Sequence, residues 1–123
     1  MKRVLFVDDD NLFRQVLALV LKCNTDLKES VEANSLPEAR RTLGNSNHEP
    51  DLAIVDLDLA NADGFELINE LRTSAPEVPV LAIMLRADAE RRERAWRAGA
   101  AEVLTMAASP EEIVDAAKRF VGE

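Results

Sequence analysis

Five short apolar runs alternate along this chain with longer segments whose apolar residues recur at helical spacing. The runs are apolar at successive positions, which is typical of strands that are buried on both faces of a parallel sheet. Taken alone, each run could be a fragment of a helix, but the regular alternation favours strands joined by crossover helices. The predicted strands, of which the second is the weakest, cover residues 3–7, 30–34, 52–55, 80–84 and 103–106.

The intervening segments carry start and stop signals for five helices. Asn11 is the predicted cap of the first helix, Gly44 the predicted end of the second and Gly99 that of the fourth. Residues 109–112 (SPEE) form a capping box with proline at the first helical position. The helices are predicted over residues 11–22, 37–43, 65–74, 88–98 and 110–121. In the first helix, the stripe expected to face the sheet consists of Leu12, Val16, Leu19 and Val20.

Five strand–helix units predict one α/β domain over residues 1–123. Right-handed crossovers turn such a chain into an open parallel sheet with helices on both faces. Ligands then bind outside the carboxyl ends of the strands, where the strand order reverses. The polar residues at the ends of the first and third predicted strands are Asp8, Asp9, Asp10 and Asp56, so these are the candidate site residues.

Carboxylates that converge on one edge of a sheet repel each other. At a separation of ~5 Å and an effective dielectric of ~20, each pair costs about 3 kcal/mol. A cation, a raised pKa or high exposure offsets this cost. A shallow site with oxygen ligands alone suits Mg²⁺, and the matching chemistry is transfer of a phosphoryl group to one carboxylate. Alternatively, the three consecutive aspartates form only a polar strand end that caps the first helix.

Composition excludes several other functions. Lys and Arg total 15 against 23 Asp and Glu, a formal net charge of −8, which argues against direct nucleic-acid binding by this domain. With four glycines, neither a G-x-G-x-x-G loop nor a P-loop can be written. One histidine and one cysteine exclude a zinc site of thiolates and imidazoles. His48 leaves a Ser-His-Asp triad formally open, but no serine lies in a nucleophile-elbow pattern.

The lone cysteine, Cys23, cannot form an internal disulfide, which favours a reducing cytoplasm. The amino-terminal residues do not resemble a signal peptide, and no window approaches the apolar length of a membrane span. We therefore expect a cytoplasmic domain without membrane contact.

The motifs VLFVDDD, LAIVDLDLANADGFEL, PVLAIM, RAGAAEVLTM and SPEEI follow one another along the whole chain. Together they resemble the receiver domain of bacterial two-component response regulators. The resemblance implies a flavodoxin-like (βα)5 fold with the strand order 2-1-3-4-5.

The resemblance also implies roles for the acidic residues. Asp56 matches the phosphoacceptor aspartate, and Asp8 and Asp9 match the acidic pair that holds Mg²⁺. Asp58 matches the position that offers its backbone carbonyl to the metal, and Asp10 flanks the pocket. Protein partners are expected to be a sensor kinase, an output domain or a second copy of the chain, bound through the face made by the fourth helix, the fifth strand and the fifth helix.

Five positions depart from the family pattern. Met84 replaces the Thr or Ser after the fourth strand, and Met106 replaces the Lys after the fifth. Val103 replaces the aromatic residue whose rotamer follows phosphorylation, and Ala107 and Ala60 replace prolines. A thioether offers neither the charge of an ammonium nor the donor of a hydroxyl. A cis bond before Ala107 is also not expected.

Several arginines remain to be explained. Arg86 is expected to pair with Asp58 or Asp10 and to supply part of the missing positive charge, unless it is a solvated loop residue. On the fourth helix, we expect Trp96 to pack inward against the sheet. The four arginines around Trp96 either pair with acidic residues of the same helix or form a contact face for an acidic protein partner. They are Arg91, Arg92, Arg94 and Arg97.

The sequence thus predicts a non-enzymatic, atypical receiver that keeps the acidic pocket but has lost the residues that report phosphorylation. Since a ligand without differential affinity shifts no equilibrium, its signal is expected to be independent of phosphorylation or only weakly coupled to it. One alternative is an ordinary phosphorylation-switched receiver in which Arg86 compensates. A remote alternative is a phosphatase with an aspartyl nucleophile, for which Asp56 and Asp58 form the required D-x-D.

Overall fold

The computed structural model of the protein describes residues 2–45, 49–59 and 63–123. Strands and helices alternate through this part of the chain, as predicted. The strands are β1 (Lys2–Val7), β2 (Leu27–Ala33), β3 (Leu52–Asp56), β4 (Val80–Met84) and β5 (Glu102–Thr105). The helices are α1 (Asn11–Asn24), α2 (Leu36–Asn45), α3 (Gly64–Ser74), α4 (Ala89–Ala98) and α5 (Pro110–Phe120).

The strands form one parallel sheet in the order β2-β1-β3-β4-β5, which confirms the predicted flavodoxin-like fold. The chain runs from β1 outward to β2 and then returns to β3 on the other side of β1. The strand order therefore reverses between β1 and β3, and a crevice opens at their carboxyl ends. Val7 pairs with Val55, so Asp8 and Asp56 are the next residues on the two strands.

Alternate residues of the strands bury opposite faces of the sheet. In β1, Val4 and Phe6 join an apolar cluster with the inner sides of α1 and α5. Leu5 and Val7 join a second cluster, formed with α2, α3 and α4. Each fully buried large side chain contributes about 1.5–3 kcal/mol of transfer free energy, so the two clusters fix the helices on both faces.

Several of the predicted helix boundaries are confirmed. The Ser109 hydroxyl accepts a hydrogen bond from the Glu112 amide and the Glu112 carboxylate reaches back, which completes the capping box before α5. Gly99 ends α4 with φ +113°, a left-handed conformation that favours glycine. Gly44, in contrast, does not end α2, which continues to Asn45. A glycine outside the left-handed region is no stop signal by itself.

The start of α1 differs from the prediction. Asp10, not Asn11, is the N-cap, and its carboxylate accepts a hydrogen bond from the Phe13 amide at 3.0 Å. Asp10 has the extended backbone that a cap requires, whereas Asn11 is already helical.

The buried face of α1 also differs from the predicted stripe. Leu12, Val16 and Leu19 are 73%, 52% and 61% exposed, and of the predicted stripe only Val20 packs, partly buried, against the core; Leu17 and Leu21 are buried. The helix is apolar around most of its circumference, so its sequence contains two stripes of similar hydrophobicity. Packing against β1, β2 and α5 selects the stripe that contains Leu17 and Leu21.

In the part of the chain that the structure describes, no helix has the length and apolar character needed to cross a membrane. His48 and Ala60 lie outside the described residues.

Candidate functional site

Three carboxylates meet at the crevice between the carboxyl ends of β1 and β3. One oxygen each from Asp8, Asp9 and Asp56 lie within 4.8 Å of one another. Asp8 and Asp56 are only 7% and 8% exposed, whereas Asp9 is exposed. The structure thus brings together three of the residues predicted from the ends of the strands.

Asp8 is held by backbone and side-chain contacts on both sides. Its amide donates to the Ala33 carbonyl at 3.0 Å, and its Oδ1 accepts from the Asp10 amide at 2.9 Å. The carbonyl of Asp8 accepts from Arg14 Nη1 at 2.6 Å, and Arg14 Nε pairs with Glu32 at 2.7 Å. Arg14 is 9% exposed and was not predicted as a site residue. The only sequence signal for it is a charge at a helix position that faces the sheet.

Asp56 is positioned from its own strand and from the start of α3. Its Oδ1 accepts from the Asp58 amide at 2.8 Å. A Cβ on Gly64 would lie 2.6 Å from the backbone oxygen of Asp56, so only glycine allows α3 to begin this close to β3. Asp63 caps α3 by accepting from the Phe65 amide at 2.9 Å.

Burial, together with the smaller effect of the negative charges of Asp8, Asp9 and Asp58, raises the pKa of Asp56 to about 7, against the lowering effect of the hydrogen bond from the Asp58 amide. The pKa of Asp8 is also raised, mainly by burial, although the Asp10 amide opposes the shift. Among the ion pairs of residues 2–45, 49–59 and 63–123, none includes Asp8 or Asp56. The two buried carboxylates of the pocket, Asp8 and Asp56, are therefore not neutralised by a basic side chain of the described residues, and a side-chain hydrogen bond joins them to each other.

This arrangement fits a hard divalent cation. Every potential metal-ligand atom in the cluster is a carboxylate oxygen. Mg²⁺ prefers one or two carboxylates, with its remaining coordination positions filled by water or phosphate. Asp8, Asp9 and Asp56 would hold the ion. Its charge would offset both their mutual repulsion and the cost of burying Asp8 and Asp56.

Asp58 lies on the rim of the pocket, and its partner is not the predicted one. Its carboxylate accepts from the Leu85 amide at 2.7 Å and pairs with Arg91 Nη2 at 2.8 Å. The expected pair of Arg86 with Asp58 or Asp10 is absent from the described residues, and Arg86 is exposed. Arg91 takes that place because the first turn of α4 faces the loop after β3, whereas Arg86 precedes the helix on an exposed loop.

Met84 ends β4, whereas β5 ends at Thr105, one residue before the predicted end at Met106. Met84 is fully buried, Val103 is 1% exposed, and Met106 packs partly buried against the cluster on the α1 and α5 side. The Met106 amide donates to the Met84 carbonyl at 2.9 Å, which keeps the two strand ends together. The described backbone contains no cis peptide bond, so the bond before Ala107 is trans, as expected.

The outer side of α4 also differs from the prediction. Trp96 does not pack inward and is 45% exposed, because Ala95 is the residue of α4 that the sheet buries. Arg94 pairs with Asp63 at 3.0 Å and lies 4.1 Å from the ring centre of Phe65.

The remaining two arginines of α4 contact β5 and α4 itself. Arg92 donates to the Val103 carbonyl at 3.0 Å, and Arg97 pairs with Glu93 at 2.6 Å. Of the four arginines, then, only Arg97 forms the pair within the helix that the sequence suggested. The other three tie α4 to the α3 side and to β5.

Comparison with known proteins gives a family match over most of the chain. The model of the response regulator receiver domain matches residues 4–118. The protein is 33% identical over 105 residues to a protein-glutamate methylesterase/protein-glutamine glutaminase of Cereibacter sphaeroides, covering 84% of this chain and 28% of the relative. It is also 33% identical over 114 residues to the virulence transcriptional regulatory protein PhoP of Salmonella typhimurium, covering 93% of this chain and 49% of PhoP.

Among solved structures, a response regulator of Burkholderia pseudomallei with a phosphorylated aspartic acid, a calcium ion and citrate is 28% identical. It superposes with a TM-score of 0.84 over 94% of this chain and 66% of its own. The chain spans half or less of the length of the two curated relatives. The strand order, the acidic crevice and these matches together show that the chain belongs to the response regulator receiver domain family.

Proposed function

We propose that the protein is a receiver module with a working Mg²⁺ and phosphoacceptor pocket and a degenerate phosphorylation switch. One juxtaposition carries this proposal. At a single edge of the sheet, the Asp8 and Asp56 carboxylates lack a cationic partner among the described residues, while apolar Met84 ends β4 and apolar Met106 directly follows β5. We further propose that residues 1–123 form one such domain.

The carboxylates at the carboxyl ends of β1 and β3 support transfer of a phosphoryl group to Asp56. Asp56 would be the nucleophile, and Asp8 and Asp9 would hold Mg²⁺ beside it, with the Asp58 carbonyl as a further oxygen ligand. A bound Mg²⁺ would neutralise charge on the incoming phosphoryl group, and in-line positioning supplies much of the remaining rate. The phosphorylated aspartic acid and the calcium ion in the Burkholderia relative support this assignment.

The apolar residues near the ends of β4 and β5 support weak coupling between phosphorylation of Asp56 and the conformation of the chain. A phosphoryl group on Asp56 would find neither a hydroxyl donor at Met84 nor an ammonium at Met106. Val103 has no ring that can change rotamer. The phosphorylated and free forms would therefore differ little in the position of α4, and a modification without differential affinity shifts no population.

Output would then run through protein contacts on the face made by α4, β5 and α5. Trp96 of α4 is 45% exposed, and the side chain of Arg97 is 78% exposed, so these residues are available as anchors. A sensor kinase, an output domain or a second copy would be the partner, and the arginines favour an acidic surface. The net charge of −8 argues against direct nucleic-acid binding, and we place the domain in the cytoplasm.

Phosphorylation with acetyl phosphate and Mg²⁺ tests the proposal. Intact-mass measurement is expected to find an adduct that Asp56→Asn abolishes, and size-exclusion chromatography is expected to find an unchanged oligomeric state. Absence of any adduct would contradict the proposed pocket. A change in oligomeric state that depends on the adduct would contradict the degenerate switch.

A change in oligomeric state that depends on the adduct is what the ordinary phosphorylation-switched receiver requires. In this alternative Arg86 compensates for the missing lysine, and Arg86→Gln would abolish the change in oligomeric state. The exposed position of Arg86 and the pairing of Asp58 with Arg91 do not favour it.

We also infer that the domain is not an enzyme. In an aspartyl phosphatase, Asp58 would have to donate a proton, but its carboxylate accepts from Leu85 and pairs with Arg91. A colorimetric phosphatase assay is expected to find no turnover, and activity that is lost in Asp58→Asn would favour the phosphatase instead.

A further inference from the structure

We propose that Arg91 is a positioning residue for the metal pocket, and that a divalent cation bound at Asp8, Asp9 and Asp56 competes with the Arg91–Asp58 ion pair that holds α4. This inference rests on the proposed function, because it requires the pocket to bind a cation. It assigns a regulatory ligand, the metal itself, to a chain whose phosphorylation switch is degenerate.

The first step is the double contact of Arg91 with the loop after β3. One nitrogen, Nη2, lies 2.8 Å from Asp58 Oδ1 and 3.1 Å from the Leu57 carbonyl. The guanidinium also lies 5.9 Å from the ring centre of Phe65. The Arg91 and Asp58 side chains are 30% and 31% exposed, so solvent screens their attraction only in part. Arg91 therefore joins α4 to the segment that directly follows the phosphoacceptor strand.

The second step is that Asp58 touches both the pocket and α4. Its amide donates to Asp56 Oδ1 at 2.8 Å. Its Oδ2 accepts from the Leu85 amide at 2.7 Å, while its Oδ1 meets Arg91. A continuous path of polar contacts thus runs from the acceptor carboxylate through Asp58 to the loop before α4 and to α4 itself.

The third step concerns charge. A divalent cation at the pocket attracts the Asp58 carboxylate and repels the Arg91 guanidinium, so it weakens the ion pair between them. By thermodynamic linkage, the ion pair weakens cation binding by the same factor. Breaking the pair must then strengthen cation binding, which a purely structural role of Arg91 does not predict.

The test is a Mg²⁺ titration of the full chain by isothermal calorimetry, with Arg91→Gln compared against Arg97→Gln. The control removes the same charge from the same helix, but Arg97 pairs with Glu93 inside α4. Arg91→Gln is expected to lower the Kd for Mg²⁺ about two- to five-fold, and Arg97→Gln to leave it unchanged. The difference should shrink at high ionic strength. If Arg91→Gln folds poorly, Arg91→Met takes its place in the test, because methionine keeps an aliphatic stem without the charge.

Two further readouts separate positioning from simple charge removal. In an Asp58→Asn background, Arg91→Gln should change the Kd less than in the wild-type chain, since its action runs through Asp58. In the wild-type chain, Mg²⁺ should speed hydrogen exchange in the first turn of α4, and in Arg91→Gln this response should disappear.

The outcomes distinguish the two levels of the proposal. If the wild-type chain binds no Mg²⁺ at millimolar concentration, the proposed function fails. If it binds Mg²⁺ but Arg91→Gln and Arg97→Gln have the same Kd, the positioning role fails and the pocket stands. Equal effects of Arg91→Gln with and without the Asp58→Asn change would also overturn the role.

Discussion

The carboxyl ends of β1 and β3 and the carboxyl ends of β4 and β5 lie along the same edge of one sheet, yet their chemistry is opposite. The first pair of strands ends in Asp8 and Asp56, which are buried carboxylates with raised pKa values. The second pair ends near Met84 and Met106, which pack into the two apolar clusters.

The two regions differ in what they contribute to the free energy of folding. Buried carboxylates without a cation destabilise the folded state. A fully buried methionine such as Met84 stabilises it by about 2 kcal/mol. The β1–β3 region thus keeps a costly arrangement that a bound cation would relieve, whereas the β4–β5 region has the composition of ordinary core. The proposed function accordingly assigns the capture of a ligand to the first region and a loss of its readout to the second.

The largest expected effect comes from removing the charge of Asp56. Because its pKa rises from 3.8 to about 7 on folding, the folded state holds a proton that the unfolded chain releases, and stability falls as the pH rises from about 4 to about 7. In the absence of metal, Asp56→Asn should remove the larger part of this fall and leave the part that the raised pKa of Asp8 causes. The variant should also be more stable than wild type by about 2–4 kcal/mol at pH 7 and above, as measured by urea unfolding.

Asp115→Asn, on the exposed side of α5, is the matched control, because it removes a carboxylate that lies outside the pocket. Mg²⁺ should raise the stability of the wild-type chain but not that of Asp56→Asn. A pH-independent difference between Asp56→Asn and wild type would mean that the β1–β3 region carries no such cost.

A smaller effect is expected where α3 approaches β3. Gly64→Ala places a Cβ 2.6 Å from the Asp56 backbone oxygen, so α3 or β3 must shift. The expected cost is about 2 kcal/mol in the free energy of unfolding, together with a higher Kd for Mg²⁺. Gly44→Ala in α2 meets no atom within 4 Å and should instead stabilise the chain by up to about 1 kcal/mol. Equal effects of the two substitutions would show that Gly64 does not position the pocket.

The smallest expected effect is a gained response to a phosphoryl mimic, produced by substitutions at Met84 and Met106. The double variant Met84→Thr/Met106→Lys supplies a hydroxyl and an ammonium at the ends of β4 and β5. With Mg²⁺ and beryllofluoride, its Trp96 emission should indicate a population shift of about five-fold that the wild-type chain lacks. Met84→Leu/Met106→Leu keeps both positions apolar and should show none. A population shift of equal size in the leucine variant would contradict the proposed difference between the two regions.

The sequence was sufficient for the sheet and for the acidic cluster. Short apolar runs specify buried strands, and the carboxyl ends of parallel strands meet, which brought Asp8 and Asp56 together. The sequence was not sufficient to predict which face of a helix packs against the sheet. The two apolar stripes of α1 have similar hydrophobicity, so only packing against the sheet determines that Leu17 is buried and Val16 is exposed.

The same limit applies to α4. Periodicity does not determine whether Trp96 or Ala95 faces the sheet, and the small residue fits against the strands. That rotation brings Arg91 to Asp58, whereas Arg86 precedes the helix. The buried position of Arg14 was missed for a related reason, since its partners are a carbonyl and a carboxylate on other elements.

Amide chemical shifts of the wild-type chain with Mg²⁺, before and after addition of beryllofluoride, test most directly whether the pocket is uncoupled from the α4–β5–α5 face. Beryllofluoride is expected to shift the amides of Asp8 to Asp10 and of Asp56 to Leu59, with no further shift in α4, β5 and α5 beyond that caused by Mg²⁺. Large additional shifts across α4, β5 and α5 would show that the chain reads its phosphoryl group without the hydroxyl and the ammonium, and would contradict the degenerate switch.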